Sequence, residues 1–316
     1  MAILCTGEVL WDVFGEKELL GGAPLNFAAT LMRLGHRVAL LTAVGDDERG
    51  RRALEYIRAH GLPTDWVQTV SGTRTGTAIV TTDSSGNATY RIQRPAAFDS
   101  LRIDDVLFKR IRAFAPSWYY FGTLAQSVPG SIWASEAIRK QVPGIKCFYD
   151  ANLRDGHWNI ALVQKLSAHA AIMQLNEAEA KTLHCEVSPL ESFSLEGFSQ
   201  EWREKYEIGI LCVTLGRDGC AVCTDAGFQK FDGFPVDVVD TVGAGDAFAA
   251  AFLHGVVNRW SMHKTALFAN AVGAVVAGRN GAIPDWTFDD INQVLSGSPV
   301  VKRSVNRKKR QSRIRP

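Results

Sequence analysis

No stretch of this 316-residue chain approaches the ~20 consecutive apolar residues that a membrane-crossing helix needs. The opening Met1-Ala2-Ile3-Leu4-Cys5-Thr6-Gly7-Glu8 lacks a basic leader and meets an acid early, so a signal peptide is not expected and the protein is expected to be cytoplasmic. Cysteine is scarce, six in all, at 5, 147, 185, 212, 220 and 223. Only Cys220-Ala-Val-Cys223 has metal-like or redox-like spacing, and no second Cys or His pair accompanies it. On a strand those two side chains point to opposite faces, so burial is their expected role. None of the seven His has a spacing partner four residues on. There is no Gly-x-x-x-x-Gly-Lys-Ser/Thr phosphate loop, no protein-kinase Lys/His-Arg-Asp set, and no internal repeat. Acidic excess is hidden by the tail. Lys302 to Arg315 carries eight Lys or Arg and no acid, and without them 27 bases face 33 acids, about −6, where the whole chain has +2. Such a tail suits a solvated terminus, residues 301–316, better than a nucleic-acid or membrane contact.

What the chain does contain, 46% hydrophobic residues, is enough for a substantial core in one large α/β domain or two smaller ones. No Pro-, Gly- or Ser-rich linker marks a second independent domain. Residues 2–10 read as a buried first strand closed by Leu10-Trp11-Asp12. Pro24 and Gly35 bracket a helix with Leu25, Ala28, Leu31 and Met32 on one face. A strand over 37–44 and a helix over 48–59 continue a β-α-β-α order, which predicts a parallel sheet with helices on both faces. Residues 66–94 break this rhythm with two strands joined by a tight turn at Ser84-Ser85-Gly86-Asn87, suited to a lid outside the main sheet. Strands are then expected over 117–121, 146–150, 171–175, 209–214 and 220–223. Helices are expected over 131–140, from Asn176, and over 198–205, 244–258, 262–278 and 287–296.

The stretch from Val238 to Phe248 organises the rest. Apolar residues precede Asp240-Thr241-Val242-Gly243-Ala244-Gly245-Asp246, and apolar positions 248, 252, 253, 256 and 257 follow at helical spacing. Gly243, Ala244 and Gly245 leave backbone N–H groups open at a helix start, where the dipole favours an anion such as phosphate. Asp246 beside them is placed to take a proton from an attacking hydroxyl, or simply to stabilise the first helical turn. At other strand ends, Asp12 with Asn26 can bind vicinal hydroxyls, although Asn26 also suits an ordinary helix start. Arg154, in Asp150-Ala-Asn152-Leu-Arg154, suits forked binding of phosphate or carboxylate oxygens, or an ion pair with Asp150. Asn176 and Glu179 have the spacing of a capping box. Thr214-Leu215-Gly216 with Gly219 fits a tight hairpin or a close backbone approach to a ligand.

Asp240–Asp246 resembles the C-terminal signature of the ribokinase-like (PfkB) carbohydrate kinases, and Gly21-Gly22-Ala-Pro-Leu-Asn26 through Gly35 resembles their N-terminal signature in its fructokinase form. With three shorter elements the resemblance spans about residues 3–297. It implies a doubly wound α/β fold, mostly parallel, with a small β-sheet lid from about 10–20 and 66–96, as a single kinase domain over 1–300. It implies an ATP-dependent sugar kinase with Mg2+ and, around Asp240 and Thr241, a K+-type monovalent-cation loop. Asp246 becomes the base, helped by the Gly243–Gly245 amides and Arg154. Asp12, Gly22, Asn26, Tyr90 and Arg91 fall on the sugar side. Asn176, Thr214, Gly216, Gly219 and Asn270 fall on the nucleotide side, with Glu179 acting on Mg2+ indirectly. Glu8 and Leu10 depart from the ribokinase pattern and favour fructose. Arg91 and Arg154 keep a 2-keto-3-deoxygluconate kinase as the substrate alternative. A nucleoside kinase, or a non-catalytic assembly subunit, are further alternatives. Lid strands also offer edges for a homodimer.

Overall fold

The computed structural model describes residues 1–82 and 88–297. Nine strands form the main sheet: β1 (Ala2–Thr6), β4 (Arg37–Gly45), β5 (Val67–Val70), β8 (Trp118–Gly122), β9 (Lys146–Asp150), β10 (Ile172–Asn176), β11 (Ile210–Thr214), β12 (Cys220–Thr224) and β13 (Gly227–Phe231). Four strands form a smaller one: β2 (Leu10–Phe14), β3 (Lys17–Gly21), β6 (Gly76–Thr82) and β7 (Ala88–Gln93). The main order is β13-β12-β11-β10-β9-β8-β1-β4-β5, and the small order is β3-β2-β6-β7. Every pairing from β11 to β5 is parallel, while β12 and β13 run antiparallel at one edge.

Strand alternation feeds two cores. Ile3, Cys5 and Phe148 face a layer built from the helices Ala23–Arg33, Glu48–Ala59, Ala244–Val257, Met262–Ala277 and Phe288–Leu295. Leu4, Tyr119 and Tyr149 face the other, against the helices Asp105–Phe114, Pro129–Gln141, Ile160–Ser167, Glu177–Val187 and Leu195–Lys205. Cys220 and Cys223 fall into different layers, as alternation requires, and both are free and buried. A third cluster, including Leu10, Ala78, Ile92 and Phe98, packs beneath the small sheet.

Three expectations are corrected. Residues 2–10 do not make one strand: the chain leaves the main sheet after Thr6 and re-forms as β2 in the small one, so Asp12 lies mid-strand rather than at a strand end. The residues near 66–70 belong to the main sheet, where β5 pairs with β4, so only β6 and β7 of the 66–96 region are in the small sheet. The helices Asp105–Phe114 and Ile160–Ser167 and the strand β13 were not anticipated. The turn at 84–87 and the basic tail 301–316 lie outside the described residues. Among the described residues no helix is long and apolar enough to cross a membrane.

Candidate active site

In an open parallel sheet, ligand sites gather beyond the carboxyl ends of the strands. The segment after β1 carries Glu8, that after β9 carries Arg154, and β10 and β11 end in Asn176 and Thr214. The loop 232–243 brings in the helix Ala244–Val257 from the same edge. Gly243 caps that helix with φ 78°, a left-handed conformation natural to glycine, and a Cβ there would lie 2.4 Å from the Ala282 carbonyl oxygen. Asp240 fixes the approach, because its carboxylate oxygens accept the amides of Val242 and Gly281, each at 3.0 Å. The Ala244 amide is taken by the Thr241 carbonyl at 3.2 Å. Gly245 and Asp246 then supply the first-turn amides that have no intrahelical partner.

Asp246 is held from across the fold. Asn26 Nδ2, in the first turn of the helix Ala23–Arg33, donates to Asp246 Oδ2 at 2.7 Å. These residues are 220 positions apart, so the two signature stretches meet here. Gly22 makes the contact sterically feasible: at φ 118° the chain passes so close to Glu8 that a Cβ would lie 2.4 Å from the Glu8 carbonyl oxygen. Burial raises the Asp246 carboxyl to about 6, against the lowering influence of Asn26 and Arg154.

The acids around it share one cation. Desolvation raises Glu8 to about 7 and Asp12 to about 6, and pushes buried Asp150 well above the usual carboxylate range. Glu179 is also raised by burial. Arg154, exposed on its loop, acts against the shift in all five. Asn152, at φ 38°, turns the chain between Asp150 and Arg154. Arg154 makes no ion pair with Asp150; that carboxylate accepts the Tyr120 hydroxyl at 2.7 Å. Tyr120 in turn stacks on Phe27 with ring centroids 3.9 Å apart, so packing in the core aims the phenol.

On the other flank the capping box forms. Asn176 accepts the Glu179 amide at 2.9 Å, and Glu179 accepts the amides of Asn176 and Leu153, each at 2.8 Å. The last bond ties the Arg154 loop to the helix Glu177–Val187. Thr214 ends β11, and Gly216 and Gly219 lie in the turn to β12. Asn270, buried, donates to the carbonyls of Phe231 and Asp232 at 3.2 and 3.0 Å and so anchors the end of β13.

Asp12 stands opposite Ala78 and Ile92 on one face of the small sheet. Arg91 pairs with Ile79, which pairs with Val13, and so projects exposed from the opposite face. The structure therefore does not bring Arg91 to Asp12. The backbone of Tyr90 pairs with Val80, and its side chain lies outside the described residues. Three residues not assigned a role from the sequence join the centre: Glu8, Tyr120 and Gln174, whose Nε2 donates to the Gly245 carbonyl at 3.3 Å. The signal for Glu8 was present, a lone acid inside an apolar run.

An acid with a raised proton affinity, at a helix start built for an anion, is the arrangement of an enzyme that moves a phosphoryl group onto an alcohol. The chain matches the pfkB family carbohydrate kinase domain over residues 4–288, and it belongs to that family. It is 32% identical over 278 residues to fructokinase-1 of Zea mays, covering 84% of each chain. It is 30% identical over 283 residues to fructokinase-1 of Oryza sativa subsp. japonica, again covering 84% of each. Among solved structures, a fructokinase from Vibrio cholerae in fructose-, ADP- and calcium-bound form superposes with a TM-score of 0.76 at 25% identity, covering 93% of this chain and 98% of that one.

Proposed function

We propose that this carbohydrate kinase transfers the γ-phosphate of ATP to the primary hydroxyl of fructose, with Asp246 as general base. The observation that carries the reading is the Asn26–Asp246 hydrogen bond, which joins the residues of the sugar side to the anion-binding helix start. Asn26 occupies Oδ2 and leaves Oδ1 for the hydroxyl proton. A carboxylate with a proton affinity near 6 is ionised at neutral pH and still basic enough to accept that proton. Asp12, also raised to about 6, hydrogen-bonds sugar hydroxyls, and Gly22, packed on the Glu8 backbone, sets the helix start that brings Asn26 to the same side. The Gly243 to Gly245 stretch, through the amides of Gly245 and Asp246, and the exposed guanidinium of Arg154 balance charge on the phosphoryl group in transit.

Thr214, Gly216 and Gly219 line the path of the nucleotide, and Asn270 holds the wall behind it. Among the described residues no group of three or more His, Cys, Asp or Glu forms a metal cage. The oxygen groups of Asn176 and Glu179, joined in their capping box beside the Arg154 loop, suit a hard cation, and they would hold waters of Mg2+ brought in on the phosphates. The ion, when bound, neutralises phosphate charge. Asp240, through its two amide contacts, shapes a loop whose carbonyls with Thr241 suit K+. The small sheet serves as the lid, and its β3 and β7 edges suit pairing with a second copy. A cytoplasmic location suits an ATP-dependent enzyme with six free cysteines.

With Arg91 on the far face, Arg154 is the cation that acts on these acids among the described residues, which supports a neutral sugar over a sugar acid. The test is ADP release from MgATP with fructose, 2-keto-3-deoxygluconate, ribose and adenosine in turn. Fructose should give the highest kcat/KM. Preference for the sugar acid would shift the substrate, and no turnover on any of the four would favour the non-catalytic reading.

A further inference from the structure

Glu8 has no part in the chemistry described so far, yet it is a deeply buried acid beside the base, 5% exposed. It sits where the chain leaves β1 for β2, packed against the first turn of the helix Ala23–Arg33. Its backbone lies against the start of that helix, where a Cβ at Gly22 would be 2.4 Å from the Glu8 carbonyl oxygen, and the amides of Glu8 and Ala23 act on its carboxyl. Ala23 and Asn26 are three residues apart on that helix, on one side of one turn. Glu8 therefore stands on the turn that carries Asn26, and Asn26 holds the base.

Glu8 Oε2 and Asn26 Oδ1 are both buried acceptors without a hydrogen-bond partner. Buried acceptors left without hydrogens are costly, and a carboxylate offers none. A carboxylic acid does. We propose that Glu8 is a positioning residue for Asp246 and works as the neutral acid: it supplies a hydrogen to Asn26 Oδ1 and so keeps the Asn26 amide turned onto the base. The inference rests on the reading of Asp246 as base.

The surrounding charges agree. Asp246 from its helix disfavours a charge at Glu8, while Arg154, from the loop after β9, and the amides of Glu8 and Ala23 favour one. Burial is the largest influence and raises the Glu8 carboxyl to about 7. Above that pH a second buried negative charge appears beside Asp246, its hydrogen is gone, and an incoming anionic phosphate is opposed. Activity should therefore decline on the alkaline side through loss of the Glu8 proton, with the usual coupling to Asp246.

The experiment is a kcat and KM profile from pH 5 to 9 for wild type, Glu8→Gln and Glu8→Met, with MgATP binding and circular dichroism on each. Glutamine keeps a hydrogen donor and cannot ionise; methionine keeps the length and has neither property. Glu8→Met should lose about tenfold or more in kcat, the order expected for one buried hydrogen bond, with MgATP binding intact. Glu8→Gln should recover most of that loss and should lack the alkaline decline near pH 7. An alkaline decline unchanged in Glu8→Gln, or a wild-type kcat in Glu8→Met, would overturn the proposal. A readout free of catalysis separates this from failure of Asp246 as base: between about pH 4.5 and 7 wild type should lose more stability than Glu8→Gln, which keeps only the losses from the other raised acids. Equal loss in both would show that Glu8 is already ionised and overturn the proposal.

Discussion

Replacing Asp246 by asparagine should make the protein more stable while disabling it. Burial raises this carboxyl from 3.8 to about 6 in the fold. The unfolded chain therefore releases the proton first as pH rises. The contribution is fully present below pH 3.8 and is lost as pH climbs through about 6. At about 1.4 kcal/mol per unit the loss approaches roughly 3 kcal/mol by pH 8. Asparagine never ionises and escapes it. Part of the gain is returned, because the 2.7 Å bond from Asn26 to a charged oxygen becomes one to a neutral oxygen. A net gain of about 1–3 kcal/mol at pH 8, shrinking toward zero near pH 4, is the expected result. Urea denaturation of wild type and Asp246→Asn at the two pH values reads it directly. A destabilised variant at pH 8, or a gain of equal size at both, refutes the claim that the fold holds this acid under strain.

Two further substitutions probe the same centre. Gly243→Ala should cost at least ~2 kcal/mol by urea denaturation, since it puts a Cβ 2.4 Å from the Ala282 carbonyl oxygen at a φ of 78°. Arg154→Ala should lower kcat and move the acid limb of the kcat/KM profile upward, because Arg154 opposes the raised proton affinity of Asp246. A limb that stays in place would show that the guanidinium does not act on the base.

Much of this site was legible in the residues. The run Asp240 to Asp246, with helical apolar spacing after it, located the helix start, and Gly21 to Gly35 located the helix that faces it. That the two meet through Asn26 and Asp246, 220 residues apart, is a matter of topology, which no local pattern carries. The break after Thr6 was hidden for a similar reason. Residues 2–10 are apolar on both sides of Thr6-Gly7-Glu8, and the alternation alone does not mark a change of sheet. The break falls at Gly7, which at φ 150° lies so close to the Pro24 ring that a Cβ would be 2.3 Å from Cγ. Arg91 was misplaced by parity. In a hairpin one residue decides the face, and the register that pairs Arg91 with Ile79 rather than with Ala78 sends it away from Asp12. Asn176 and Glu179 were recognised as a cap, and they are one. Their bond to the Leu153 amide, which steadies the Arg154 loop, depends on a neighbouring strand and could not be read from the cap itself.

The central claim is that Asp246 takes the proton from the sugar hydroxyl. Turnover at saturating MgATP and fructose, wild type against Asp246→Asn, tests it most directly. The account predicts a fall in kcat of about 10²–10⁴ with MgATP binding retained. An Asp246→Asn protein that turns over at close to the wild-type rate would contradict it.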